Sequence, residues 1–170
     1  MSKLRQFLQA LSLLTRIPVR VDWDPELRWG ALAGWFPAVG LAIGLILMAF
    51  AWLWNGAAEP FPLVTGALVL ALWAGLTGGL HLDGWGDCAD AFFTPVSRDR
   101  RLEIMADPRL GGFGVIGLVF LLLCKYGAAA YVVTLTIGLF GFWRQMESLW
   151  PLAVAPVVAR AVMVVVLEIG

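Results

Sequence analysis

The sequence predicts an all-α, polytopic integral membrane protein, a helical bundle of about four spans with an amphipathic segment at its amino terminus. Three observations predict it. The 170 residues are 61% hydrophobic and only 14% charged, whereas soluble domains carry about a quarter charged residues. Trp29 to Ala58 and Pro60 to Leu82 contain no Asp, Glu, Lys or Arg, and each run exceeds the roughly 20 residues that a helix needs to cross a hydrocarbon core. Neither run shows the polar face at helical spacing that marks a soluble core helix.

The elements follow in order. Leu4, Phe7, Leu8 and Leu11 recur at helical spacing beside Lys3 and Arg5. They read as a short amphipathic helix in the membrane interface, or as an ordinary cytosolic lead-in. A secretory signal fits poorly, because Arg16 interrupts the apolar stretch and no small-x-small cleavage site precedes Pro18. The first span is expected near 30–54, followed by a turn containing Asn55-Gly56 and Glu59-Pro60, and the second span near 62–82. Residues 83–110 carry the densest charge and read as an exposed loop. The third span is expected near 112–143 as one long or broken helix, with Arg144 and Glu147 in an external turn, and the last near 150–167. Five basic residues (Lys3, Arg5, Arg16, Arg20, Arg28) precede the first span, four lie within 98–109, and none lies in 55–61. This bias places the amino terminus and the 83–110 loop on the cytoplasmic side. Cys88 and Cys124 are too few for a disulfide framework. A net charge of zero gives no footprint for nucleic acid. No repeat or linker divides residues 1–170, which read as one membrane domain.

The chemistry concentrates in HLDGWGDCAD, residues 81–90. On a continuous helix, Asp87 lies about 40° from Asp83 and Asp90 about 20° to the other side, so all three carboxylates share an arc of about 60°. Like charges on one face repel, and no basic residue lies between 29 and 97 to interleave them. A divalent cation would supply the counter-charge; carboxylate ligation with room for water suits Mg²⁺ or Mn²⁺, and such sites bind substrate phosphates. A solvated helix end is the alternative. Gly84 and Gly86 allow either close approach of a diphosphate to the backbone or tight helix packing. His81 lies about 200° from Asp83 on a continuous helix, so a role as general base needs a distortion at Gly78-Gly79 or Gly84, and a hydrogen-bonded packing role competes.

A second cluster, SRDRRLEIMADPRLGGFG, covers residues 97–114. Ser97 reads as an N-cap, and Pro108 with Gly111-Gly112 ends the helix. The segment is either a solvated, salt-bridged helix or a phosphate-binding lid, in which Arg100, Arg101 and Arg109 neutralise phosphate oxygens and Asp107 adds a metal ligand. Lys125 and Arg160 lie inside apolar spans, where a charge pairs, lines a pathway or snorkels.

These motifs resemble a known family. HLDGWGDCAD is similar to the HLDG-x-x-D-x-x-D signature of cobalamin synthases, and RRLEIMADPRLGGFG resembles that family's second signature. LLTRIPV, GWFPAVGLAIG, the lysine of LLLCKYG and, more weakly, APVVARAVM also fit. The resemblance implies a multi-pass enzyme of the cytoplasmic (inner) membrane that joins adenosylcobinamide-GDP to α-ribazole or its 5′-phosphate and releases GMP. It implies Mg²⁺ (or Mn²⁺) on Asp83, Asp87 and Asp90 with Asp107 near, and Asp90, or failing that His81, as general base. It further implies that Arg100, Arg101, Arg109 and Lys125 bind substrate. Expected partners are the corrinoid nucleotide, α-ribazole and the lipid bilayer, with a second copy or corrinoid-pathway membrane proteins as candidates. Family members usually continue through further spans, so this chain is expected to be short at its carboxyl end. Two alternatives stand beside this reading. A CDP-alcohol phosphotransferase would need an Ala-Arg that the Asp83-Gly84 motif lacks. A cation or proton transporter would spread its carboxylates over several spans.

Overall fold

The structure, a computed structural model, describes residues 2–21, 29–57, 61–137 and 142–169. Eight helices form among them: α1 (Lys3–Leu14), α2 (Trp29–Ala33), α3 (Phe36–Ala57), α4 (Pro62–Thr77), α5 (Leu80–Phe93), α6 (Arg98–Ala106), α7 (Gly112–Thr134) and α8 (Phe142–Ile169). Trp29–Asn55, Gly112–Thr134 and Trp143–Val166 are each long and apolar enough to cross a membrane. α4 and α5 pass that test only as a pair, bent by 91°. The protein is a polytopic helical membrane protein with three such helices among the described residues, or four spans if the bent pair counts as one.

The tightest packing joins α3 to α8 and rests on small residues. A Cβ on Gly40 would lie 2.5 Å from the carbonyl oxygen of Pro156, and one on Gly44 would lie 2.7 Å from the Cα of Ala153. Lipid tails are as apolar as leucine, so membrane helices associate through such backbone approach rather than through burial of oil from water. Val39, Ile43, Leu47 and Ala51 run down the same face of α3 and are fully buried, as is Leu149 of α8. Asn55 donates to Thr136 Oγ1 (3.2 Å) and accepts from Thr65 Oγ1 (3.4 Å), tying together α3, α4 and the end of α7. α1 docks on this core through Ala10 and Leu14, with the Phe7 ring edge-on to Trp35 at 5.9 Å. Leu4 stays 66% exposed, so the apolar stripe expected for the interface is shared between protein and surroundings.

The break that positions the site falls at Gly78-Gly79. Both residues adopt left-handed backbone, with φ of 65° and 75°, a region that glycine enters without the Cβ penalty. Gly79 N–H closes on Ala74 C=O at 3.1 Å and ends α4, as glycine does at many helix C-termini. The backbone N–H of Arg16 reaches Leu76 C=O at 2.7 Å and satisfies another carbonyl of that last turn.

Several boundaries differ from the sequence-based expectation. The span placed at 62–82 stops at Thr77, and the chain turns sharply into α5. Within the charged stretch 83–110, α5 and α6 form where the aspartate arc and the Ser97 N-cap place helices, and the difference is that α5 is set off from α4 by the sharp bend. The third span ends at Thr134, and Arg144 and Glu147 lie in the first turns of α8 rather than in a turn; charged residues at a helix end stay in contact with water without interrupting the backbone ladder. Arg28 and the Glu59-Pro60 turn lie outside the described residues.

Candidate active site

α5 carries the three aspartates on one unbroken helix, and the environments of their side chains separate them. Asp83 is exposed, Asp87 half-buried and Asp90 buried. Asp83 and Asp87, one turn apart, line a cavity of 460 Å³ together with Arg16, Gly78, Pro108 and Leu110. Neither carboxylate has a hydrogen-bond or ion-pair partner among the described residues. Asp83 also stands in the first turn of α5, where the helix dipole favours negative charge.

Asp90, further along the same arc of α5, is taken up by the start of α7. Its carboxylate accepts the backbone N–H of Gly111 at 2.6 Å and that of Gly114 at 2.8 Å. These groups belong to the N-cap and first turn of α7, which have no intrahelical acceptor. Asp90 therefore caps α7 from a neighbouring helix. The contact requires glycine: a Cβ on Gly111 would lie 2.5 Å from Asp90 Oδ1, and one on Gly114 would overlap Oδ2 and come 2.7 Å from Leu110 Cδ1. Gly117, one turn on, accepts a hydrogen bond from Trp85 Nε1 at 3.0 Å through its carbonyl, and a Cβ there would lie 2.8 Å from that of Ala89. Glycines at 111, 114 and 117 thus let α5 lie flat on the start of α7. Gly86 is explained by packing too, since its Cβ would meet Leu110 Cδ1 at 2.7 Å, while Gly84 faces open space.

α6 begins as the sequence predicts, with the Ser97 hydroxyl accepting from Arg100 N–H at 3.4 Å, and ends at Asp107. Arg100 pairs with Glu103. Arg109 grips Asp107 through Nε (3.0 Å) and Nη2 (2.8 Å). That hydrogen-bonded guanidinium lowers the Asp107 carboxyl to about 2 and raises Arg109. Arg101 lies over the Phe92 ring, 5.7 Å from its centroid, tying α6 to α5. A second cavity of 260 Å³ is lined by Asp90, Thr94, Asp107, Arg109, Gly111 and Phe113. The structure therefore brings Asp90, Asp107 and Arg109 together, and Asp83 and Asp87 together next to them.

Two expected members stand elsewhere. His81 begins the opposite face of α5, as its angular position predicts, and lines a third cavity with Lys125. Gly78-Gly79 bends the chain ahead of His81 rather than between it and the aspartates, so the histidine does not join them. Among the described residues no three His, Cys, Asp or Glu side chains are grouped to hold a metal ion. The donors that fit one are Asp83 and Asp87, because Mg²⁺ takes one or two carboxylates and completes its shell with water and substrate phosphate. Sequence reasoning missed Arg16. It supplies a basic side chain to the aspartate cavity from the stretch before the first span, where the search for a counter-charge between 29 and 97 does not reach. The run Gly111, Gly114, Gly117 at the head of an apolar helix was a legible sign of a closely packed neighbour, without saying which.

A family model described as cobalamin-5-phosphate synthase matches residues 6–170. An adenosylcobinamide-GDP ribazoletransferase of Brevibacillus brevis is 40% identical over 158 residues, covering 91% of this chain and 57% of that protein. A protein of the same name from Pseudomonas aeruginosa is 44% identical over 129 residues, 75% of this chain and 51% of the relative. Another from Thermosynechococcus vestitus is 43% identical over 121 residues, 71% and 48% respectively. The chain thus spans about half the length of the curated relatives it matches. No solved structure matches it.

Proposed function

Because the chain belongs to the cobalamin-5-phosphate synthase family, we propose that it carries the phosphoryl-transfer site of an adenosylcobinamide-GDP ribazoletransferase. The reaction joins adenosylcobinamide-GDP to α-ribazole, or its 5′-phosphate, and releases GMP. The observation that supports it best is the Asp83–Asp87 pair, without a partner among the described residues, facing a cavity lined also by Arg16 and by Pro108, which follows the arginine-bearing α6. A ribose hydroxyl attacks the phosphorus that bears the aminopropanol arm; the new P–O bond forms as the P–O bond to GMP breaks. Asp83 and Asp87 would hold Mg²⁺ or Mn²⁺, which when bound neutralises charge on the diphosphate.

The chain's own residues divide the remaining work. With both oxygens committed to the amides of α7, Asp90 positions the site in this reading. The proton of the attacking hydroxyl then passes to a carboxylate of the Asp83–Asp87 pair, a general base held within reach of the cavity. Arg16 faces the diphosphate, and Arg100, Arg101 and Arg109 form the basic rim that receives the GMP portion or the ribazole phosphate; guanidinium forks match phosphate oxygens. The site lies at the cytoplasmic face of the inner membrane, where a large, partly apolar corrinoid rests against the bilayer.

The test is turnover in membranes containing the protein, with Mg²⁺, adenosylcobinamide-GDP and α-ribazole. GMP and cobalamin are expected in equal amounts, dependent on both substrates, and Asp83→Asn or Asp87→Asn should abolish both products. GMP release without cobalamin, or full turnover in those variants, contradicts the assignment.

A further inference from the structure

A third cavity, of 380 Å³, opens between α4, α7 and α8. Its walls are largely apolar, with Val69, Trp73, Val132 and Leu152 among them, yet Lys125, Arg160 and His81 also line it. Arg160 is 1% exposed, and its Nε and Nη2 are buried without a hydrogen-bond partner among the described residues. His81 Nδ1 is likewise buried and unpartnered, while its Nε2 touches Met163 Sδ at 3.4 Å. Lys125 Nζ rests on the Trp73 ring, 4.3 Å from the centroid. Among the described residues no carboxylate lines the cavity.

Two cations around an apolar space have no counter-charge there among the described residues, and charged groups within membrane helices mark binding sites or pathways. Buried donors left unmatched are a costly arrangement that a ligand would relieve. Two positive charges match a doubly charged phosphate monoester better than a carboxylate, which would balance only one. The guanidinium fork fits phosphate oxygens, and the apolar walls fit a hydrophobic body rather than a free ion. We propose that this cavity binds an organic phosphate, its phosphate held by Arg160 and Lys125 and its apolar body lodged among Val69, Val132 and Leu152. The site is separate from the Asp83–Asp87 cavity, with which it shares only the wall formed by Leu82, and it does not depend on the reaction assigned there. The phosphate could belong to a membrane lipid headgroup or to a soluble aromatic ester, and the experiment separates these sources.

Calorimetric titration of the purified protein in dodecyl maltoside uses dihexanoyl phosphatidic acid in one arm and 1-naphthyl phosphate in the other. Inorganic phosphate and dihexanoyl phosphatidylcholine serve as controls. At least one arm should bind at a single site, ten-fold or more tighter than either control. Lys125→Met and Arg160→Gln should each weaken that binding at least ten-fold, while Asp83→Asn leaves it unchanged. Ala128→Phe, which narrows the cavity and keeps both cations, should weaken the organic phosphate. If Arg160→Gln fails to fold by gel filtration, Lys125→Met and Ala128→Phe decide. Binding of the lipid alone assigns a headgroup site, and binding of the naphthyl ester assigns a soluble ligand. Absence of binding in both arms, or equal affinity in wild type, Lys125→Met and Ala128→Phe, overturns the proposal.

Discussion

Replacing Asp90 by asparagine keeps the shape of the side chain and removes half of what it does. The carboxylate accepts two backbone N–H groups, Gly111 at 2.6 Å and Gly114 at 2.8 Å, within a buried contact. Asparagine has one carbonyl oxygen, so one amide then faces an NH₂ group, donor against donor. A hydrogen bond to a charged acceptor contributes about 1.5–3 kcal/mol, and an unmet buried N–H costs about 1–3 kcal/mol. Loss of the negative charge at the start of α7 acts in the same direction. A net loss of about 2–4 kcal/mol follows for Asp90→Asn, whereas Asp83→Asn and Asp87→Asn, which lose no partner, should stay within about 0.5 kcal/mol. Thermal unfolding in detergent, followed by circular dichroism, checks this: the midpoint should fall on the order of 10 °C for Asp90→Asn and stay near wild type for the other two. Hydrogen exchange at the Gly111 and Gly114 amides should quicken in the same variant. An unchanged midpoint for Asp90→Asn, or an equal fall for Asp83→Asn, refutes the assignment of Asp90 to the frame.

Gly44→Ala forces a Cβ to within 2.7 Å of the Ala153 Cα and should destabilise by about 1–3 kcal/mol through overpacking. Gly75→Ala meets nothing within 4 Å and should be neutral or stabilising by up to about 1 kcal/mol; thermal midpoints separate the two. Arg16→Gln leaves the backbone bond to Leu76 intact and should lower turnover at least ten-fold with little change in midpoint. Asp107, lowered from 3.8 to about 2 by the hydrogen bonds of Arg109, should show a carboxyl ¹³C titration midpoint near 2, moving up toward the ordinary value in Arg109→Gln. The sign is that of a depressed carboxylate: the contribution of the pair is complete above the unfolded value and is lost as pH falls through about 2.

The apolar runs made the membrane class legible, since spanning helices announce themselves by length and lack of charge. The arc of Asp83, Asp87 and Asp90 was legible as well, because angular spacing is local, and the opposite placement of His81 came from the same arithmetic. What that arithmetic could not supply was the partner of each face. Asp90 meets amides 21 and 24 positions away, and Arg16 meets the aspartate cavity from the far side of a span. The two glycines at 78–79 offered a break but not its angle of 91°, because the α7 glycines on which α5 packs lie far along the chain. The start of α8 was misplaced because Arg144 and Glu147 looked like a turn in hydropathy, although both occupy helical positions.

In the proposed site Asp83 and Asp87 hold the metal and the phosphate while Asp90 holds the helix that frames them. Electron paramagnetic resonance of free Mn²⁺, titrated with purified protein in the presence of GDP, measures this directly. Asp83→Asn and Asp87→Asn should each lose bound Mn²⁺, and Asp90→Asn, measured below its lowered midpoint, should retain it. Wild-type Mn²⁺ binding in the Asp83 and Asp87 variants, or its loss in folded Asp90→Asn alone, contradicts the account.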